Sequence, residues 1–141
     1  MKIVVSACLL GENCKYNGGN NFSAKIAEYV RNKEVVAVCP EVLAGLGIPR
    51  DPVEIVNGEV RKKSGESVDA PLRQAVSQIL KQLEGEEISC AILKSRSPTC
   101  GVKQVYDGTF SGKLVDGMGI LASALRENGY LVLDCEDCDC I

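Results

Sequence analysis

The chain contains no histidine and no tryptophan. Without histidine, Cys–His dyads, Ser–His triads and His-ligated zinc are excluded outright. Any acid–base work falls to Glu, Asp, Lys, Tyr, Ser or Cys. Aromatics are also scarce, at four Tyr and two Phe, too few to build a base-stacking platform. A formal net charge of -3 argues in the same direction, against the nucleic-acid backbone as a partner. Long apolar runs are missing as well. After Met1-Lys2 only Ile3-Val4-Val5 precedes Ser6, far short of a signal-peptide core, and no stretch approaches bilayer-spanning length. The protein is therefore expected in the cytoplasm, with neither a membrane nor a nucleic acid as partner. The sequence sets no oligomeric state.

With 141 residues, 45% of them hydrophobic and 25% charged, the chain has the makings of one globular core and not of two. No repeat and no linker divides it. A β-branched run at Lys2–Ser6 predicts a first strand. Ser23 caps a helix to about Asn32 with Ile26, Tyr29 and Val30 on one face. Glu34–Val38 is a second strand, broken by Cys39-Pro40, and a short helix follows over Glu41–Leu46. Val53–Val56 and Val60–Lys62 flank Asn57-Gly58, a strong hairpin signal. Asp69 is the expected cap of a helix to about Glu84, inward-facing through Leu72, Ala75, Val76, Ile79 and Leu83. Ile88–Leu93 reads as a buried strand, and Tyr106–Phe110 as an irregular turn or small hairpin. Gly117–Asn128 reads as a helix stopped by Gly129, and Tyr130–Leu133 as a last strand. The alternation predicts a single three-layer α/β domain over 1–134, with a central, mostly parallel sheet and an acidic Cys-rich tail at 135–141.

Eight cysteines in a chain expected to stay reduced point to metal binding or thiol chemistry rather than to disulfides. Cys90, mid-strand, fits a small buried hydrophobe. Cys8, Cys39 and Cys100 instead lie in the loops after three predicted strands, Cys39 beside Pro40, Cys100 beside Gly101 and Cys8 three residues before Gly11. If those strands are parallel, the three thiols share the carboxyl edge of the sheet, where open α/β sheets bind ligands. A phosphatase-like reading of Cys8 needs an Arg six positions on, and position 14 is Cys14, followed by Lys15. Structural zinc favours paired Cys-x-x-Cys knuckles, and the one such pair, Cys135 and Cys138, is in the tail. Three thiolates without a fourth suit an iron–sulfur cluster with one open iron, a Lewis acid.

At these residues the chain resembles the thiouracil desulfidase-like family, long catalogued as a bacterial domain of unknown function. The resemblance rests on Val5-Ser6-Ala7-Cys8-Leu9-Leu10-Gly11, Cys39-Pro40-Glu41-Val42-Leu43-Ala44-Gly45-Leu46 and Leu93-Lys94-Ser95-Arg96-Ser97-Pro98-Thr99-Cys100-Gly101. Tyr106-Asp107-Gly108-Thr109-Phe110-Ser111-Gly112 is a fourth match. The resemblance implies a 4Fe–4S cluster held by Cys8, Cys39 and Cys100, prone to loss in air. It also implies non-redox removal of sulfur from a small thiolated heterocycle. Glu41 and Ser97 match the assisting carboxylate and hydroxyl, with Ser95 open as the alternative serine. A second function class stays open beside it, a non-catalytic iron–sulfur or metal carrier or sensor. Cys135-x-x-Cys138-x-Cys140 is no part of the resemblance. It reads either as an exposed acidic terminus or, through Cys135, as a further thiol reaching the same sheet edge.

Overall fold

The structure is a computed structural model that describes the backbone of residues 1–140 and the side chains of residues 1–137. Its centre is a sheet of four parallel strands built from β-branched runs. In chain order the elements are β1 (Lys2–Ser6), α1 (Ala24–Val30), β2 (Glu34–Val38), α2 (Pro40–Leu43), β3 (Val53–Val56), β4 (Glu59–Lys62), α3 (Asp69–Leu83), β5 (Ile88–Leu93), β6 (Gln104–Tyr106), β7 (Leu114–Asp116), α4 (Ile120–Glu127) and β8 (Val132–Asp134). The central sheet runs β2-β1-β5-β8, and two antiparallel hairpins, β3–β4 and β6–β7, stand apart from it. Register is even along the carboxyl edge: Val5 pairs with Ala37 and with Ile92, and Leu93 with Asp134. The four strands therefore release their chains at one level.

The pleat sorts side chains into two cores. Ile3, Val5, Cys90 and Ile92 face Ile26 and Val30 of α1, while Val4, Ala91 and Leu93 face Leu72, Val76 and Ile79 of α3 and Leu121 and Leu125 of α4. This is the period-two alternation of a strand buried on both faces. It makes the three-layer α/β fold that the sequence predicts, with Cys90 as a core side chain. The five inward positions of α3 are all buried, as its periodicity requires.

Local differences from the sequence reading have local causes. Asp69 is not a cap but the first residue of α3. Its carboxylate accepts from the Val60 backbone N–H at 3.0 Å and pairs with Arg73 at 2.7 Å, tying the helix to the hairpin. Of the two readings of 106–110 the hairpin is the one formed: the segment is the end of β6 and the start of its connection to β7, and its Gly108 N–H reaches Glu54 Oε1 at 3.0 Å. The last helix starts at Ile120, three residues late, because Gly119 is extended and its N–H bonds to Gly101 O at 2.8 Å. A Cβ on Gly119 would lie 2.4 Å from the Thr99 carbonyl carbon and 2.8 Å from Cys100 N. Backbone cannot yield there, so Gly119→Ala is expected to cost about 3 kcal/mol. Urea unfolding would register that loss as a lowered midpoint, with the Cys100 loop displaced.

Candidate active site

Each of the four parallel strands ends at or near a cysteine. β1 runs into a 3-10 turn, Ala7–Leu10, closed by Gly11 in the left-handed region (φ 94°), which only glycine enters freely. Cys8 in that turn is half-buried, and Asn21 Nδ2 donates to its sulfur at 3.4 Å. The Asn-rich loop that carries Asn21 is held down by Asn21 N to Cys8 O at 3.0 Å and Ser23 N to Leu9 O at 2.9 Å. After β2, Cys39 occupies the position before α2, with Pro40 opening the helix. β5 leads to the loop 94–101, in which Lys94 N bonds to Ser6 Oγ at 2.9 Å and Arg96 adopts a left-handed backbone (φ 64°). Left-handed non-glycine backbone costs energy that the surrounding loop must overcome, and such residues gather at working sites.

Cys8, Cys39 and Cys100 all line one cavity of about 650 Å³ with Glu41, Ser95 and Ser97. The sequence-derived site is thus brought together by topology. Burial, followed by the nearby Glu41 carboxylate, pushes the Cys100 thiol up to about 12 and raises Cys39 further. Burial also raises Cys8, opposed by Asn21 and by the Lys94 ammonium. Left to themselves these thiols stay protonated. A bound cation that accepts sulfur would remove that penalty. Among the described residues no three Cys, Asp or Glu side chains converge on a single-ion position. A single tetrahedral ion with 2.3 Å bonds needs its sulfurs roughly 4 Å apart. The donor set is all sulfur, and soft thiolates suit an iron–sulfur group.

The oxygen chemistry of the site is linked. Thr99 Oγ1 donates to Glu41 Oε1 at 2.6 Å and lies 3.0 Å from Ser97 Oγ. Ser97 Oγ accepts from the backbone N–H groups of both Thr99 and Cys100 at 3.1 Å. Glu41 Oε2 sits 3.6 Å from Cys39 Sγ. Ser95 belongs to a different set: Lys94 Nζ donates to its Oγ at 3.1 Å, and Cys135 Sγ lies 3.9 Å away.

Three participants escaped the sequence reading. Thr99 is fully buried and has no local signature. Cys14 is buried, lines the cavity, and its thiol lies against that of Cys39, which also points to the Cys14 carbonyl at 3.9 Å. The extra cysteine beside the Cys8 motif was the available signal. Arg50 closes the same wall, donating to Cys14 O at 2.8 Å.

The tail continues from β8 as a 3-10 helix, Cys135–Cys140, rather than as a loose acidic terminus. Arg96–Glu136 at 3.3 Å and Lys103–Asp137 at 3.1 Å fasten it, and Cys135 reaches the sheet edge. The side chains of Cys138 and Cys140 lie outside the described residues. Ion pairs this exposed contribute ~1 kcal/mol or less. Deleting residues 135–141 is accordingly expected to leave the fold and the iron content of the loaded protein near those of the full chain. Iron lost on truncation would place a ligand in the tail.

Comparison with known proteins fits this geometry. No helix among the described residues is long and apolar enough to cross a membrane. A solved structure titled as a 4Fe–4S-dependent thiouracil desulfidase, TudS, superposes with a TM-score of 0.89 at 34% identity, covering 96% of this chain and 91% of that one. An uncharacterised Bacillus subtilis (strain 168) protein, YbbK, is 38% identical over 141 residues, 93% of each chain. The profile of the 2-thiouracil desulfurase family matches residues 3–137, and the chain belongs to that family.

Proposed function

We propose that this chain is an iron–sulfur-dependent desulfidase that removes sulfur from a thiocarbonyl, a thiolated pyrimidine or related small heterocycle, by hydrolysis without net electron transfer. The observation that carries the reading is that Cys8, Cys39 and Cys100 line one cavity together with Glu41 and Ser97, which the buried Thr99 joins from behind. Family membership and the structural likeness to a 4Fe–4S-dependent thiouracil desulfidase support it.

In this reading Cys8, Cys39 and Cys100 hold a 4Fe–4S cluster, and their raised thiol pKa values make ligation the way each becomes a thiolate. A cluster with one open iron supplies a Lewis acid for the thiocarbonyl sulfur. Glu41, a neighbour of Cys39 and not a ligand, takes a proton from water so that the oxygen can add to the ring carbon. Ser97, rather than Ser95, holds the substrate or the developing anion, because its Oγ is fixed within the Glu41 network by two backbone donors. The cavity of about 650 Å³ leaves room for a small ring.

Anaerobically loaded protein is expected to release sulfide from 4-thiouracil or a similar compound without added reductant. A loaded protein silent across a panel of thiolated heterocycles would replace the enzyme reading with that of an iron–sulfur carrier or sensor.

A further inference from the structure

We infer that Thr99 is a positioning residue that joins Glu41 to Ser97 as one proton path, so that the proton taken from water at Glu41 is returned at Ser97. This rests on the hydrolytic reading above and extends it to a residue that neither the sequence nor the family relation singles out.

The donor count fixes the direction of the chain. Thr99 has one hydroxyl proton, and its 2.6 Å contact with Glu41 Oε1 is far shorter than its 3.6 Å contact with Cys100 Sγ. That proton therefore belongs to Glu41. The 3.0 Å contact between Thr99 Oγ1 and Ser97 Oγ must then be donated by Ser97. Ser97 Oγ already accepts two backbone N–H groups, so its remaining role is to donate. At rest the order is Ser97 O–H to Thr99 O–H to the Glu41 carboxylate. Thr99 has no exposed surface, and solvent cannot stand in for it.

Once Glu41 has taken a proton from water, every hydrogen bond of the chain reverses. Glu41 donates to Thr99, Thr99 to Ser97, and Ser97 to the departing sulfur. A C–O bond forms from the water oxygen, the C–S bond breaks with its electron pair on sulfur, and the proton lost to Glu41 arrives on that sulfur through Ser97, while water's second proton leaves the added oxygen as the carbonyl forms and reaches the hydrosulfide through solvent. Thiocarbonyl plus water gives carbonyl plus hydrogen sulfide, with no oxidant or reductant required. Thr99 also pins Glu41, which comes from the loop after β2, to a residue 58 positions away. It fixes the distance between base and donor.

The test compares Thr99→Val, which keeps the shape and removes the hydroxyl, with Thr99→Ser, which keeps the hydroxyl. Both are loaded anaerobically, and 4-thiouracil is the probe. The Thr99→Val protein should load iron like the wild type and lose kcat by about tenfold to a hundredfold with KM changed by no more than about twofold. Thr99→Ser should restore most of that loss. In cluster-free protein, isotope-edited infrared spectra should show the Glu41 carboxylate stretch shifted in Thr99→Val and returned in Thr99→Ser. Unchanged kcat in loaded Thr99→Val, or an unmoved carboxylate band, would overturn the relay alone. Failure of Thr99→Val to load iron while Thr99→Ser loads would overturn it too, by assigning the hydroxyl to the Cys100 sulfur. A wild type that loads but releases no sulfide would overturn the hydrolytic reading and the relay with it.

Discussion

Glu41→Gln is expected to leave iron content unchanged and to slow sulfide release by roughly a hundredfold or more, the range for loss of a general base. The two halves of this result come from one geometry. Glu41 lies two residues past Cys39, at the start of α2, and its Oε2 is 3.6 Å from that sulfur. Its other oxygen is engaged by Thr99 at 2.6 Å. A carboxylate so placed stands beside the thiols without replacing one, so the amide variant keeps the three sulfurs and loses the proton acceptor. Glutamine can still accept the Thr99 hydrogen bond through its carbonyl, which guards the fold. Iron and acid-labile sulfide are to be counted on the same preparation as the rate. Normal turnover would show that the base is another group.

Cys100→Ala is expected to abolish iron binding and activity together. Cys100 is buried in the loop after β5, its backbone N–H held by Ser97 and its carbonyl-side neighbour Gly101 bonded to Gly119. The loop cannot swing another thiol into its place, because Thr99 and Gly119 are in backbone contact. Alanine there leaves two of the three thiols, and soft multi-iron groups need the full set. Retained iron in Cys100→Ala would mean that Cys14, which also lines the cavity, completes the site. Iron analysis with visible absorption after anaerobic reconstitution separates these outcomes. Because the alanine is small and the site is buried, a urea titration of the cluster-free variant should show a modest loss, about 1–2 kcal/mol, rather than unfolding.

What was legible in the sequence was whatever depends on period and punctuation. β-Branched runs at Lys2–Ser6, Glu34–Val38 and Ile88–Leu93 gave strands at those residues. The parallel rule then put Cys8, Cys39 and Cys100 at one edge, though nothing in their spacing connects them. What was not legible depends on side chains meeting across the fold. Thr99 sits in Ser97-Pro98-Thr99-Cys100 like any loop residue, and its bond to Glu41 exists only once β1, β2 and β5 are aligned. Cys14 enters the sequence reading only as the residue that stands where a phosphatase-like loop needs Arg. Its contact with Cys39, 25 residues on, is made by the loop folding back beneath the cavity. Asp69 matched a cap by residue type, yet the hairpin before α3 offers its carboxylate a better donor in the Val60 N–H. The sequence matches Ser97 to the serine role and leaves Ser95 open beside it. The left-handed turn at Arg96 separates them, sending one toward Lys94 and Cys135 and the other toward Glu41.

The central claim is hydrolysis at a thiol-held cluster without electron transfer, and labelled water tests it most directly. Loaded protein is incubated anaerobically with 4-thiouracil in oxygen-18 water, with no reductant present, and uracil, its label and free sulfide are counted. The account predicts equal amounts of uracil and sulfide, with one labelled oxygen in each new uracil. Uracil without the label, or sulfide released only when an electron donor is added, would contradict it.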